Sequence, residues 1–183
     1  MELSNYLSVL DEGLKDLKPI AEKVSARSSS SRGQFTQHVK GSLIVMVSNF
    51  GNSDLLINFC CAAKRVGVDI GKILMFATDV QTAELAESLG FGGVYHHPKL
   101  FAAIPKDAPI DFGDEVYTNI MMAKIYCVHL ISMLGYDFLF QDLDIIPYQA
   151  HYLDYFVNRA TVDDEFDMFF QHDFSPRLEY APL

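Results

Sequence analysis

This chain has no tryptophan, few cysteines and a shortage of basic residues, and each lack excludes something. Three cysteines are present; Cys60 and Cys61 are adjacent, and Cys127 lies far along the chain. No Cys-x-x-Cys and no Cys/His ligand spacing occurs, so a disulfide framework and a structural zinc site are excluded, and the thiols read as small buried apolar groups. Lys and Arg number 14 against 24 Asp and Glu, a formal net charge of −10. Recognition of a phosphate backbone requires clustered basic side chains, which excludes nucleic acid as a partner. No apolar stretch approaches the roughly 18 residues of a membrane span, and no basic-then-apolar signal opens the chain. As written the chain reads as soluble, with any anchor belonging to a longer parent.

Apolar patterning is abundant. Half of the 183 residues are hydrophobic, enough for one sizeable core. Over residues 1–26, Leu3, Leu7, Leu10, Leu14, Leu17, Ala21 and Val24 recur in steps of four and three, the seam of an amphipathic helix. Pro19 is expected to break or kink it. "SARSSSSRG", 25–33, reads as a flexible linker, giving a helix and linker at 1–37 and a folded domain at 38–183.

Within that domain strands and helices alternate. "SLIVMVS" (42–48), "KILMFATD" (72–79), "GVYHH" (93–97) and "YDFLFQ" (136–141) read as strands, and "FDMFFQ" (166–171) as a further one. Helices are expected at 53–65 with Ser53 as N-cap and Gly67 beyond its end, at 82–90, and at 114–135. A loop rich in Pro, Lys and Asp spans about 98–113. The alternation predicts an α/β fold with a mostly parallel sheet covered by helices on both faces.

Ligands of open α/β sheets gather beyond the carboxyl ends of the strands. There "FLFQDLDIIPY" (138–148) places Asp142 and Asp144, separated by Leu143. In extended chain residues two apart share a side, so the carboxylates would face outward together while Leu143 turns into the core. Two such groups form a partial oxygen shell for Mg²⁺ or Mn²⁺, of the kind completed by phosphates and water. Without a cation their charges repel. The same spacing also serves to cap a helix near 149 or to decorate a solvated loop.

"LGYDFLFQDLDIIPY" resembles the core motif of the nucleotide-diphospho-sugar transferase family, GT-A-type glycosyltransferases that include plant cell-wall xylosyltransferases and arabinosyltransferases. "IVMVSNFGNSDLLINFCCAAKRVGV" is similar to that family's first strand, polar turn and helix, "ILMFATD" to its second strand, "AKIYCVHLISMLGYD" to its Lys-bearing helix and "FDMFFQHD" to a later strand. The resemblance runs from about 43 to 173 and implies an incomplete GT-A-like fold preceded by the N-terminal helix. It departs from the family in having no tryptophan after the motif and in stopping at Leu183, where such domains continue, so it covers the nucleotide-sugar half.

Carried over residue by residue, the resemblance makes Asp144 the principal ligand of Mn²⁺ (or Mg²⁺), with Asp142 sharing the metal or contacting the ribose. The implied donor is a nucleotide sugar, most naturally UDP-linked, the acceptor a carbohydrate or glycoprotein, and the compartment the Golgi lumen. Asn49 and Asp79, at the ends of the first two strands, stand where uridine and ribose would be read, although both types also cap turns and helices. Lys124 would reach a phosphate, or else snorkel at a helix boundary. Gln141 would contact the donor or simply end the strand. His172 and Asp173 follow the last strand and are candidates for contacting sugar or acceptor; the catalytic group itself is not identified. His96 and His97, adjacent on a strand, point to opposite faces and make a poor metal clip, and His129 reads as structural. Two other readings stay open: a nucleotide-binding domain without activity, and a phosphatase of the haloacid-dehalogenase type with Asp142 as nucleophile.

Overall fold

The computed structural model describes residues 3–29 and 42–150. A four-stranded sheet is formed by β1 (Ser42–Ser48), β2 (Ile73–Ala77), β3 (Gly93–Tyr95) and β4 (Asp137–Phe140). The strand order is β3-β2-β1-β4 and every pairing is parallel, with Ile44 opposite Ile73 and Leu139, and Met75 opposite Val94. Helices α1 (Leu3–Ser29), α2 (Ser53–Val66), α3 (Val80–Leu89) and α4 (Glu115–Met133) cover it. This is the α/β architecture that the alternation of elements predicts. The expected strand at 166–171 lies outside the described residues.

Period-two alternation assigns each strand residue to a layer. Leu43, Val45 and Val47 of β1 and Leu74 and Phe76 of β2 pack against Leu17, Ala21 and Val24 of α1 and Ala123, Cys127 and Leu130 of α4. On the other face, Met46, Ile73 and Met75 meet Leu56, Phe59 and Ala63 of α2 and Ala86 of α3. Right-handed crossovers explain the division. Steps from β1 to β2 to β3 run one way across the sheet and lay α2 and α3 on one face. The return to β4 runs the other way and lays α4 on the opposite face.

α1 continues through Pro19 rather than ending there. A mid-helix proline removes one backbone hydrogen bond, but Pro19 and Lys15, whose carbonyl loses that partner, are both exposed to solvent. Meanwhile Leu17, Ala21 and Val24 are fully buried on the other side, and their burial outweighs the local cost. The buried stripe includes Tyr6 in place of the expected Leu7, which is exposed. Tyr6 stacks on Tyr126 of α4 at 4.3 Å, and its hydroxyl lies 2.6 Å from His129 Nδ1. At Gly13 the helix comes so close to its neighbours that a Cβ would stand 2.7 Å from Leu100 Cδ1. There Tyr95 donates its hydroxyl hydrogen to the Gly13 carbonyl at 3.0 Å.

Candidate functional site

The strand order reverses at β1: β2 and β3 lie to one side and β4 to the other. Ligands of open α/β sheets gather where the strand order reverses, here at the carboxyl ends of β1 and its neighbour β4. Gln141 carries the ladder one step past β4, its backbone N–H donating to the Val45 carbonyl at 3.0 Å. The chain then turns. Ile145 N–H donates to the Asp142 carbonyl at 3.3 Å, and the Gln141 side-chain Nε2 donates to the Ile145 carbonyl at 3.1 Å. Asp142 and Asp144 therefore occupy the first and third positions of a tight turn, not alternate positions of an extended strand. Leu143 is buried at the edge of the α2–α3 core, as expected, and anchors the turn.

The turn leaves the two carboxylates unlike one another. Asp142 is partly exposed and its Oδ1 lies 2.5 Å from Nζ of Lys124, whose side chain is 25% exposed. Asp144 is exposed to solvent. Lys124 projects from the middle of α4, which descends from the rim towards the start of β4. The helix face thus delivers a cation to the crevice across 18 residues of sequence.

Among the described residues no group of three or more His, Cys, Asp or Glu side chains converges on one point. A zinc-type site is therefore not formed there. Two hard carboxylates on one turn do fit Mg²⁺ or Mn²⁺, ions that take one or two protein carboxylates and fill their remaining positions with water and phosphate oxygens.

Asn49 directly follows β1 and Asp79 lies two residues past β2, but both are buried and their polar atoms have protein partners. Asn49 Nδ2 donates to the Pro105 and Asp107 carbonyls at 2.9 and 2.6 Å, and its Oδ1 accepts from Asn52 Nδ2 at 2.9 Å. Gly51 N–H adds a bond to the Lys106 carbonyl at 2.7 Å, and a Cβ on Gly51 would stand 2.0 Å from Ala108 N. Only glycine allows that approach. Asn49 thus pins the 98–113 loop over the end of β1. Asp79 caps α3: Oδ1 accepts from Thr82 N–H, and Oδ2 from Thr82 Oγ1 and Phe50 N–H, each at 2.9 Å. A short 3-10 turn, Phe50–Asn52, intervenes before α2, so Asn52 rather than Ser53 holds the N-cap position.

One residue of the rim was not singled out by its sequence. Thr78, just past the end of β2, is buried, and its Oγ1 has no hydrogen-bond partner among the described residues. A buried hydroxyl left unpaired costs about 1–3 kcal/mol, which makes this atom a candidate for a partner outside the described residues. The signal in "ATD" was Thr78 itself, overshadowed by the acid beside it.

The strand expected at 93–97 ends at Tyr95, so His96 and His97 lie beyond it rather than on opposite faces of it. His96 Nδ1 contacts the Ala77 carbonyl at 2.9 Å, whereas His97 Nδ1 accepts from Leu100 N–H at 3.2 Å, so the neighbours serve different partners. His172 and Asp173 lie outside the described residues. Just past the acidic turn, Ile146 joins Asn58, Cys61, Ala62 and Arg65 in lining a cleft of about 240 Å³.

A family profile for nucleotide-diphospho-sugar transferases matches residues 69–180. The match begins later than the sequence resemblance, just before β2, and takes in Lys124, Asp142 and Asp144. No curated protein and no solved structure matches the chain. A profile that spans more than half of the chain and includes the acidic turn at the strand-order reversal establishes kinship: the chain belongs to the nucleotide-diphospho-sugar transferase family.

Proposed function

We propose that this chain carries the donor site of a GT-A-type glycosyltransferase that moves a sugar from a nucleoside diphosphate, with UDP as the nucleotide, to a carbohydrate or glycoprotein acceptor. The single observation that carries the reading is the Asp142–Leu143–Asp144 turn at the crevice between β1 and β4, with Lys124 on its first carboxylate.

Asp144 and Asp142 would hold Mn²⁺ or Mg²⁺ on this reading, with Asp144 the principal ligand. A bound divalent ion supplies Lewis-acid neutralisation of the charge that builds on the departing diphosphate. Gln141 keeps the turn closed, and Leu143 fixes it to the core, so both aspartates are positioned before the donor arrives. Lys124 offers its ammonium to the diphosphate. Thr78 offers its unpaired hydroxyl to the nucleoside, two strands away from the metal ligands. Asn49 and Asp79 act by holding the loop and helix that frame the site. The carboxylates of one turn do not form a glycosidase pair, which needs two groups facing each other across the sugar.

Ile110 and Phe112, 90% and 89% exposed, stand on the loop leading into α4, and Tyr148, 92% exposed, follows the acidic turn. Apolar faces at the rim suit the C–H faces of an acceptor sugar. By resemblance the proposed compartment is the Golgi lumen; no described helix is long and apolar enough to cross a membrane. Incubation with UDP-sugars and Mn²⁺ tests the proposal: the chain should release UDP, and Asp144→Ala should abolish release while melting at the wild-type temperature. Tight UDP binding without turnover would support the inactive nucleotide-binding reading instead. Hydrolysis of an aryl phosphate would revive the phosphatase.

A further inference from the structure

The ion pair between Lys124 and Asp142 bears on how the two ligands of the proposed site enter it. Lys124 Nζ stands 2.5 Å from Asp142 Oδ1. A divalent ion that took the same oxygen would bring a second positive charge beside the ammonium. Two cations cannot share that oxygen closely without repulsion. The Lys124 side chain is 25% exposed and that of Asp142 42%, so solvent weakens that repulsion only in part. Lys124 therefore competes with metal for Asp142.

A diphosphate changes the balance. It brings negative oxygens to the same crevice and can accept the ammonium, releasing the carboxylate to the metal. We infer that Lys124 is a displaceable counter-ion that couples metal binding to nucleotide binding: it holds Asp142 until a diphosphate offers it another partner, so that each ligand strengthens the other. By linkage the factor by which nucleotide tightens metal equals the factor by which metal tightens nucleotide. The inference rests on the proposed donor site and adds a positioning role for Lys124 within it. Lys124 sits on α4 and Asp142 beyond β4, so the coupling joins the helix layer to the sheet rim.

Titration calorimetry with MnCl₂ alone, UDP alone and both together tests it, on the full chain and on Lys124→Met. The wild type should show positive coupling, about fivefold or more. Lys124→Met should bind Mn²⁺ alone about fivefold tighter, and its coupling factor should fall below the wild-type value, leaving only the part that comes from metal and diphosphate sharing one site. Asp142→Asn provides a second arm should Lys124→Met fold poorly. Freed from its carboxylate, Lys124 should then bind UDP more tightly in the absence of metal. Unchanged Mn²⁺ affinity and coupling in Lys124→Met overturns the inference while leaving the donor site standing, and with that variant unfolded, unchanged or weaker metal-free UDP binding in Asp142→Asn does the same. Absence of any UDP or Mn²⁺ binding by the wild type overturns the donor site and the inference together.

Discussion

Replacing Asp79 by alanine separates a structural pin from a ligand-binding group. In the folded protein its carboxylate accepts three hydrogen bonds, from Thr82 N–H, Thr82 Oγ1 and Phe50 N–H, each at 2.9 Å. Loss of a helix N-cap costs about 1 kcal/mol. The Phe50 N–H left behind is only partly shielded, and Thr82 Oγ1 can rotate, so their desolvation adds about 1–2 kcal/mol rather than the full penalty for two buried groups. The expected loss is about 2–3 kcal/mol, a large share of the roughly 5–15 kcal/mol that holds a domain together. With an m-value near 2 kcal/mol per molar urea, the midpoint should fall by about 1–1.5 M. Asp79→Asn should lie between, because Oδ1 can still accept from Thr82 while the amide faces the Phe50 donor. UDP affinity of the folded variant should stay within about threefold of wild type. A variant that keeps its urea midpoint but loses UDP binding more than tenfold would refute this reasoning and restore Asp79 as a donor contact.

Gly51→Ala must push the 105–108 backbone away, since its Cβ would meet Ala108 N at 2.0 Å and Asp107 C at 2.3 Å; a loss of about 1–3 kcal/mol and faster proteolysis near Lys106 are expected. Asp114 caps α4, and donation from Tyr117 N–H, followed by Asp111 N–H, holds its carboxyl below the usual value of 3.8. Its contribution is therefore fully present above the unfolded value and lost as pH falls through the lower folded one. Unfolding free energy should decline below about pH 4, and Asp114→Asn should flatten that acid limb in urea titrations. Among the thiols, burial pushes Cys60 up to about 11 and raises Cys127 well above its usual value, while Cys61 is exposed. A disulfide reagent should modify Cys61 quickly in the native chain and the other two only on unfolding.

Local chemistry made the fold legible. Strand β1 falls on the β-branched run 42–48, and α2, α3 and α4 end where glycine or its neighbour stops them. Misreadings arose where a long-range contact overrode a local preference. Pro19 signals a break, but packing of α1 on the sheet carries the helix through it. Asn49 reads as a free polar group at a strand end because its partners, the carbonyls of Pro105 and Asp107, lie more than fifty residues away. The acidic pair and its position were legible from the strand that precedes them. Its turn was not, because the bond from Gln141 to the Ile145 carbonyl that closes it depends on the three-dimensional path. The Lys124–Asp142 pair joins two residues singled out separately, and only the crossing of α4 over the sheet brings them together.

Electron paramagnetic resonance of Mn²⁺ during titration with UDP puts the central claim under the most direct test, comparing the wild-type chain with Asp144→Asn. The signal of free Mn²⁺ should diminish when UDP and wild-type protein are both present, beyond what UDP alone removes, and should recover with Asp144→Asn at an unchanged melting temperature. An Asp144→Asn protein that sequesters Mn²⁺ and UDP as well as wild type would show that the acidic turn does not hold the metal.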